Sequence, residues 1–528
     1  MSTLLRTRLA APVGSAGTGR IRTGRGGLTL RLLAVAVALL ALLPLLYVVS
    51  YTVGAGWDTV SALVLRARTA ELLWNTTRLT ALTVLCCAGL GITTAWLVER
   101  SSVPGRRLWN VLLVAPLAVP AFVNSYAWVS IAPSMQGLGG ALLIVTLSYF
   151  PFVHLPVAAA LRGLDPGLEE AAHALGLGGW RTFVRVVLPQ LRPALLGGGL
   201  LVGLHLLAEF GALQMLQFPT FTTAIYDQYR SSFNGPAANV LATVLVLACL
   251  GLLLVELRLR GSASYARLGP GVARGVPRLR LGPLVGPALG FLVAVVGLAL
   301  VVPIASLTRW LVLGASTTFP VATLAATLLS SLGLALAAAL LTTVLALPVA
   351  WLSVRHPSRA ATTIERSTYF ASALPGIVVA LALVTISIRF VQPLYQTTPV
   401  LIVAYAIMFL PRAMVNVRSA LTQAPPLLDE VAKSLGTGAL ARLRRVTLPL
   451  IAPGLGAGTA LVFHAVVTEL TATLLLAPTG TRTLATQFWS NSSTLAYGAA
   501  APYAALMVLL SVPATYLLTR STAADVTA

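Results

Sequence analysis

Apolar residues in this chain neither alternate with polar ones nor stripe a single helical face; they gather in unbroken runs of roughly twenty, the length a helix needs to cross a hydrocarbon core about 30 Å thick. Twelve such runs are predicted, near 28 to 53, 76 to 98, 108 to 131, 138 to 160, 193 to 213, 237 to 257, 283 to 307, 325 to 352, 367 to 388, 399 to 419, 453 to 475 and 500 to 519. Because the runs are continuous, they predict helices rather than the alternating ten-residue strands of a membrane barrel. The expectation is an all-α integral membrane protein.

Composition agrees: 57% of residues are hydrophobic and 9% charged, whereas a soluble domain carries about 25% charged residues. The formal charge of +22 would suggest nucleic acid as a partner in a soluble protein. Its distribution points to membrane lipid instead. With the N-terminus inside, all but seven of the 36 basic residues fall on the cytoplasmic side, the seven being Arg66, Arg68, Arg78, Arg230, Arg309, Arg389 and Arg482. That bias fixes orientation, so a multi-pass membrane protein with both termini cytoplasmic is expected. Cys86, Cys87 and Cys249 lie inside expected spans and show no metal or disulfide spacing. No metal site is predicted.

The polar segments between the runs contain a repeat. Glu170-Ala-Ala-His-Ala-Leu-Gly176, with Val186-Val-Leu-Pro189 beyond nine intervening residues, returns 260 positions later as Glu430-Val-Ala-Lys-Ser-Leu-Gly436 and Val446-Thr-Leu-Pro449. The register extends to Pro151 and Pro411, Pro166 and Pro426, Leu168-Glu169 and Leu428-Asp429, and Glu209 and Glu469. Such repetition divides the chain into matching units. Each holds six spans, an even number, so the two six-helix repeats run parallel about an axis along the membrane normal. The expected organisation is a basic disordered tail at 1–27, a first transmembrane unit at 28–257, an Arg- and Gly-rich cytoplasmic linker at 258–282, a second unit at 283–520 and a tail at 521–528. Pro116, Pro120, Pro151, Pro156, Pro348, Pro375 and Pro411 fall within spans, which suits either a bundle around a pathway or ordinary kinked packing.

The repeated segment reads as helix, turn, helix between the fourth and fifth spans of each half. Glu169-Glu170 sit where negative charge suits the helix dipole, Gly176 supplies the C-terminal turn, and Leu188-Pro189 is expected to end the second helix before the next span begins at Pro193. The pattern of Glu-Ala-Ala, three residues, Gly, nine residues, an aliphatic residue, one residue and Leu-Pro resembles the coupling loop of type I ATP-binding-cassette importer permeases. Occurrence in both halves, after the fourth of six spans, resembles the family's fused permeases. Val186 and Val446 stand for the usual Ile, and Val431 for the first Ala.

The resemblance implies a short cytoplasmic coupling helix in each half that docks into a cleft of an ATPase subunit. It would be built from Glu170, Ala171, Ala172, Gly176, Val186, Leu188 and Pro189, and from Glu430, Val431, Ala432, Gly436, Val446, Leu448 and Pro449. Ala171, Ala172 and Ala432 would allow close approach to the partner. It also implies two copies of the ATPase, which carry ATP and Mg, and an extracytoplasmic substrate-binding protein. The chain itself has one lysine, Lys433, no P-loop before it and no apparent catalytic constellation. A transporter subunit, not an enzyme, with no cofactor of its own, is therefore expected. A twelve-helix secondary transporter and a membrane scaffold remain the alternatives from other classes.

Two carboxylates, Glu209 and Glu469, fall deep inside expected spans and are repeat equivalents. Ionisable groups in a bilayer cost about 2.5 to 3.5 kcal/mol and are functional candidates by default. They suit either an acidic constriction of the translocation pathway or a pair of carboxylates that orients the bundle. His205 and His464 lie near them but are not repeat equivalents. For cargo, Leu161 to Glu170, Glu209-Phe-Gly-Ala212, and Glu469 to Trp489 resemble the ferric-iron branch of the importers, with Thr471 a departure where proline is common. The family implies ferric iron, with thiamine, sulfate, polyamine and phosphonate as alternatives.

Overall fold

A computed structural model describes residues 25–260, 278–314, 317 and 319–524. Most of the expected N-terminal tail, the middle of the linker and the last four residues lie outside the described residues. Within these there is no β-strand, only one parallel bridge between Ser101 and Leu279.

Nine helices are long and apolar enough to cross a membrane, and two bent pairs, Arg106–Ala118 with Ala121–Ile131 and Gly137–Tyr149 with Pro151–Gly163, bring the number to eleven among the described residues. The remaining expected span, 367 to 388, is also in two pieces, Arg359–Tyr369 with the turn Phe370–Ala373, then Gly376–Phe390. Every one of the twelve expected runs thus has a helical counterpart, six to each half.

The third span of each half breaks for the same local reason. The residue before a proline is pushed out of the helical region, and Val119 (φ −100°, ψ 111°) and Leu374 (φ −90°, ψ 117°) are both extended ahead of Pro120 and Pro375. The first break turns the chain by 89°. Proline does not always do this: Pro348 and Pro411 lie inside unbroken helices.

Packing ties the halves together by exchange of their first spans. Arg25–Gly54 lies against Val321–Arg355, Arg359–Tyr369 and Gly376–Phe390 of the second half, while the seventh span, Gly282–Leu313, lies against Ala121–Ile131 of the first. Small and medium residues make the close contact on the first span, where Ala34, Val37, Ala38 and Ala41 are buried at helical spacing. On the seventh, Ser306 Oγ donates to the Ala127 carbonyl at 3.1 Å and Trp310 Nε1 to Ser130 Oγ at 2.9 Å. A third apolar cluster joins Phe122, Val123 and Tyr126 to Leu470, Leu484 and Phe488 across the halves.

Two expectations are corrected. Spans 193 to 213 and 453 to 475 are not continuous: Leu188–Ala208 stops at Glu209, and Leu448–Val467 stops at Thr468, before short helices at Gly211–Met215 and Thr471–Leu476. Nor do Leu188-Pro189 and Leu448-Pro449 end a helix. The coupling segment runs on into the fifth span as one helical unit, Gly179–Ala208, and into the eleventh through Leu443–Val467.

Candidate functional site: the coupling loops and the acid pair

Each coupling loop begins with a nine-residue helix, Pro166–Ala174 or Pro426–Ser434, with proline at the first helical position, where its missing N–H costs nothing. Asp165 Oδ1 accepts from the Gly167 N–H at 2.9 Å and caps the first; the second opens with Pro425 and no side-chain cap. Both end identically. Gly176 (φ +83°) and Gly436 (φ +78°) are left-handed. The N–H groups of Gly176 and Leu177 reach the carbonyls of His173 and Ala172 at 2.9 and 3.0 Å, and those of Gly436 and Thr437 reach Lys433 and Ala432 at 3.0 and 3.2 Å. This paired closure is a Schellman turn, and it is why glycine stands at that place in the motif.

The second limb passes through a five-residue π-turn in each half, Phe183–Val187 and Leu443–Thr447. In an α-helix the ring of Pro189 would press on the carbonyl of Arg185 and leave it without a donor. Widening the turn relieves this, with the Leu188 N–H reaching back to Phe183 and the Leu448 N–H to Leu443. The Leu-Pro of the motif is thus a splice between loop and span rather than a stop. Val186 and Val446, inside the π-turns, are half-buried.

The alanines divide differently from expectation. Ala172 and Ala432 are buried within their own loops, where a small side chain allows close packing inside the hairpin. Glu170, Ala171, Glu430 and Val431 are exposed. Beside them stand side chains that sequence reasoning passed over: Leu175 and Leu435 are 84% and 78% exposed, and Trp180 is 76% exposed. The two leucines are repeat equivalents immediately before the glycine, which was the available signal. Large apolar groups held in water at a protein's polar end mark an interaction surface.

Basic residues ending the second span of each half anchor the loops. Arg100, itself buried, donates to Glu169 Oε1 at 2.7 Å, and Arg355 Nη2 donates to the Ala424 carbonyl at 3.0 Å. Asp429, the equivalent of Glu169, pairs with Arg442 at 3.5 Å.

At the far end of the fifth and eleventh helices sit the two acids, in the breaks themselves. Glu209 Oε1 accepts from the Ala212 N–H and Glu469 Oε1 from the Ala472 N–H, both at 2.9 Å. A carboxylate in that position satisfies a free N–H at the start of the short helix and meets its positive end. Tyr149 OH donates to Glu209 Oε2 at 2.5 Å. In the second half Phe409 occupies the place of Tyr149, and Tyr405 OH instead bonds Thr473 Oγ1 at 2.7 Å. The breaks touch each other: a Cβ on Gly211 would stand 2.8 Å from Leu470 Cδ2 and 2.9 Å from Phe122 Cβ. Around them the halves close through Tyr126 OH, which donates to the Tyr497 carbonyl at 2.6 Å, and through Phe210 against Trp489. His205 and His464 lie within a turn or so of the acids, and among the described residues no three His, Cys, Asp or Glu side chains converge as a metal site would require.

The profile of the binding-protein-dependent transport system inner membrane component matches residues 88–258 and again 343–522. The chain belongs to that family. The two matches carry one coupling loop each and establish the duplication. The Fe(3+)-transport system permease protein FbpB 2 of Haemophilus influenzae is 38% identical over 498 residues, spanning 93% of this chain and 97% of the relative. The sulfate transport system permease protein CysT of Escherichia coli is 31% identical over 239 residues, 41% of this chain and 86% of its own length. The molybdenum transport system permease protein ModB of Escherichia coli is 29% identical over 213 residues, 36% of this chain and 93% of its own. The shorter relatives each match less than half of this chain, as expected where one chain fuses two permease units. Membership makes this a multi-pass importer permease, a transporter subunit and not an enzyme, and removes the secondary-transporter and scaffold alternatives.

Proposed function

We propose that this permease carries ferric iron across the bacterial inner membrane, receiving it from an extracytoplasmic binding protein and drawing energy from ATPase subunits docked on its two coupling loops. Iron is supported by the 38% identity to the Haemophilus influenzae permease along nearly all of both chains. One ATPase at each loop is supported by the matched Schellman turns at Gly176 and Gly436; ATP and Mg are assigned to those subunits, since no P-loop precedes the one lysine of this chain. Both termini are assigned to the cytoplasm on the distribution of Arg.

The observation that carries the mechanism is continuity. Gly179–Ala208 is a single helical unit of 30 residues, about 45 Å at 1.5 Å per residue, with a coupling hairpin at one end and Glu209 at the other. The eleventh helix repeats the arrangement from Leu443 to Glu469. A rigid element transmits displacement where a loop would absorb it, so drawing the two hairpins together rotates the ends that bear the acids. The contact between Gly211 and Leu470 is then the outer closure that such rotation opens.

The test is uptake of radiolabelled ferric iron in cells lacking the gene, complemented with the wild type or with a chain substituted at Glu170 and Gly436. Rescue by the wild type alone supports both cargo and coupling. Wild-type expression without any effect on iron uptake overturns the cargo and directs the assay to sulfate, thiamine, polyamine and phosphonate.

A further inference from the structure

Immediately on the cytoplasmic side of the acids lies a cluster of opposite polarity. Arg412 follows Phe409 by one helical turn on the tenth span, Thr398–Gln423, and has no counterpart in the first half, where Phe152 stands at the equivalent place. Its side chain is exposed. It reaches across the halves: Nη2 lies 3.4 Å from His205 Nε2. His205 Nδ1 is 2.8 Å from the Leu201 carbonyl and therefore holds the ring proton, so Nε2 accepts from the guanidinium. The His205 ring is itself seated against Phe152, with centroids 4.5 Å apart. His464, five residues before Glu469, has its Nδ1 buried with no hydrogen-bond partner and lies within reach of the Arg412 charge.

A guanidinium offers five N–H donors, and here one is taken by His205. No carboxylate lies within ion-pair distance of Arg412 among the described residues, although Glu469 acts on its charge from beyond that distance. A cation held between two membrane-embedded halves is costly unless something of opposite charge visits it. The acids ahead of it attract a metal ion, but a bare trivalent cation would be repelled one turn further on. The fork of Arg412 matches the paired oxygens of a phosphate, sulfate or carboxylate.

We propose that Arg412, positioned by His205 and joined by His464, is an oxyanion-binding station in the pathway, and that cargo passes it carrying an oxyanion. That oxyanion is a ligand of the metal ion or is itself the transported species. The iron reading enters only in the second arm of the test.

The full-length chain in lipid nanodiscs is titrated with inorganic phosphate, sulfate and citrate against chloride at matched ionic strength, with thermal unfolding as the readout. A saturable rise in Tm with at least one oxyanion is expected, weakened tenfold or more in apparent affinity by Arg412→Gln and partly kept by Arg412→Lys. No shift in the wild type, or a shift undiminished in Arg412→Gln, overturns the station; the wild-type result decides even where a variant folds poorly. The second arm follows radiolabelled oxyanion and ferric iron together into cells expressing the complete transporter. Entry in fixed ratio identifies a metal-borne ligand. Oxyanion entry without iron keeps the station and overturns the ferric reading. Iron entry without any oxyanion overturns the proposal that cargo carries one.

Discussion

Glycine at positions 176 and 436 is required by backbone conformation alone, which makes the coupling turn testable in isolation from packing. Their φ values are +83° and +78°, and a Cβ added at either would meet nothing within 4 Å. Any cost of Gly176→Ala is therefore the left-handed penalty of an L-residue, about 1 to 2 kcal/mol, with no clash added. Asparagine tolerates that region better than alanine, and a β-branched residue tolerates it least. The expected order of function is thus Gly, Asn, Ala, Val. A penalty of 1 to 2 kcal/mol is a factor of roughly 5 to 30 in an equilibrium. Once the Schellman geometry has become the minor form, apparent affinity for the ATPase falls by up to that factor at each substituted loop. The assay is co-purification of ATPase with a series substituted at both glycines, normalised to permease in the membrane. Val equal to Asn, or wild-type ATPase recovery with Val, would refute the reasoning that ties the motif's glycine to this turn.

Gly176→Pro with Gly436→Pro should abolish transport at normal membrane abundance, because proline cannot adopt positive φ; uptake equal to wild type would remove the loops from the coupling path. Glu209→Gln with Glu469→Gln keeps an oxygen to accept from Ala212 and Ala472 and removes the charge, while Tyr149 has to turn its hydroxyl from donor to acceptor against the new amide, so slower cation uptake with little change in Tm is expected. The Ala pair should instead lower thermal stability by losing caps worth about 1 kcal/mol each; equal Tm in both pairs would show that the acids do not cap. Leu175→Asp with Leu435→Asp should release the ATPase without altering the permease's own Tm, as both side chains stand in water. A fall in Tm matching the loss of ATPase would mean that they pack within the permease.

The spans were legible because lipid imposes a demand that sequence cannot disguise: about twenty apolar residues without interruption. The interior of those spans was less so. Val119-Pro120 breaks its helix and the repeat-related Pro151 and Pro411 do not behave alike, the first standing at a bend and the second inside an unbroken helix. Leu188-Pro189 looked like a terminator, but a π-turn absorbs the ring and the helix continues. Glu209 and Glu469 were visible as acids in apolar surroundings. Their placement in breaks was hidden, since the bond that stabilises each break runs from side chain to a backbone N–H three residues on. Spacing identified the coupling motif but not which of its alanines faces inward, a property of how the hairpin folds back on itself. Nothing in the sequence distinguishes Arg412 from the rest of the 36 basic residues, because its position between the halves, rather than its type, makes it unusual.

Fusion of the two units explains an asymmetry that separate identical subunits could not have. The scaffold obeys the repeat closely: the hairpins, π-turns and capped breaks recur 260 residues apart. The surroundings of the acids do not. Tyr149 bonds Glu209 while its repeat equivalent is Phe409, and Arg412 meets His205, which is seated on Phe152, the repeat equivalent of Arg412. Two arginines related by symmetry at the pathway axis would repel each other at short range in a medium of low effective dielectric, where such interactions are several-fold stronger than in water. A single arginine braced by a neutral imidazole avoids that repulsion and keeps most of its donors free. Symmetry is retained at the coupling loops and is lost around the acids, as the proposed function requires of force-receiving and cargo-contacting parts. Phe152→Arg, which restores the symmetry, should therefore block uptake even with Arg412 intact, while leaving ATPase recovery unchanged. Normal uptake in that variant would show that the asymmetry carries no function.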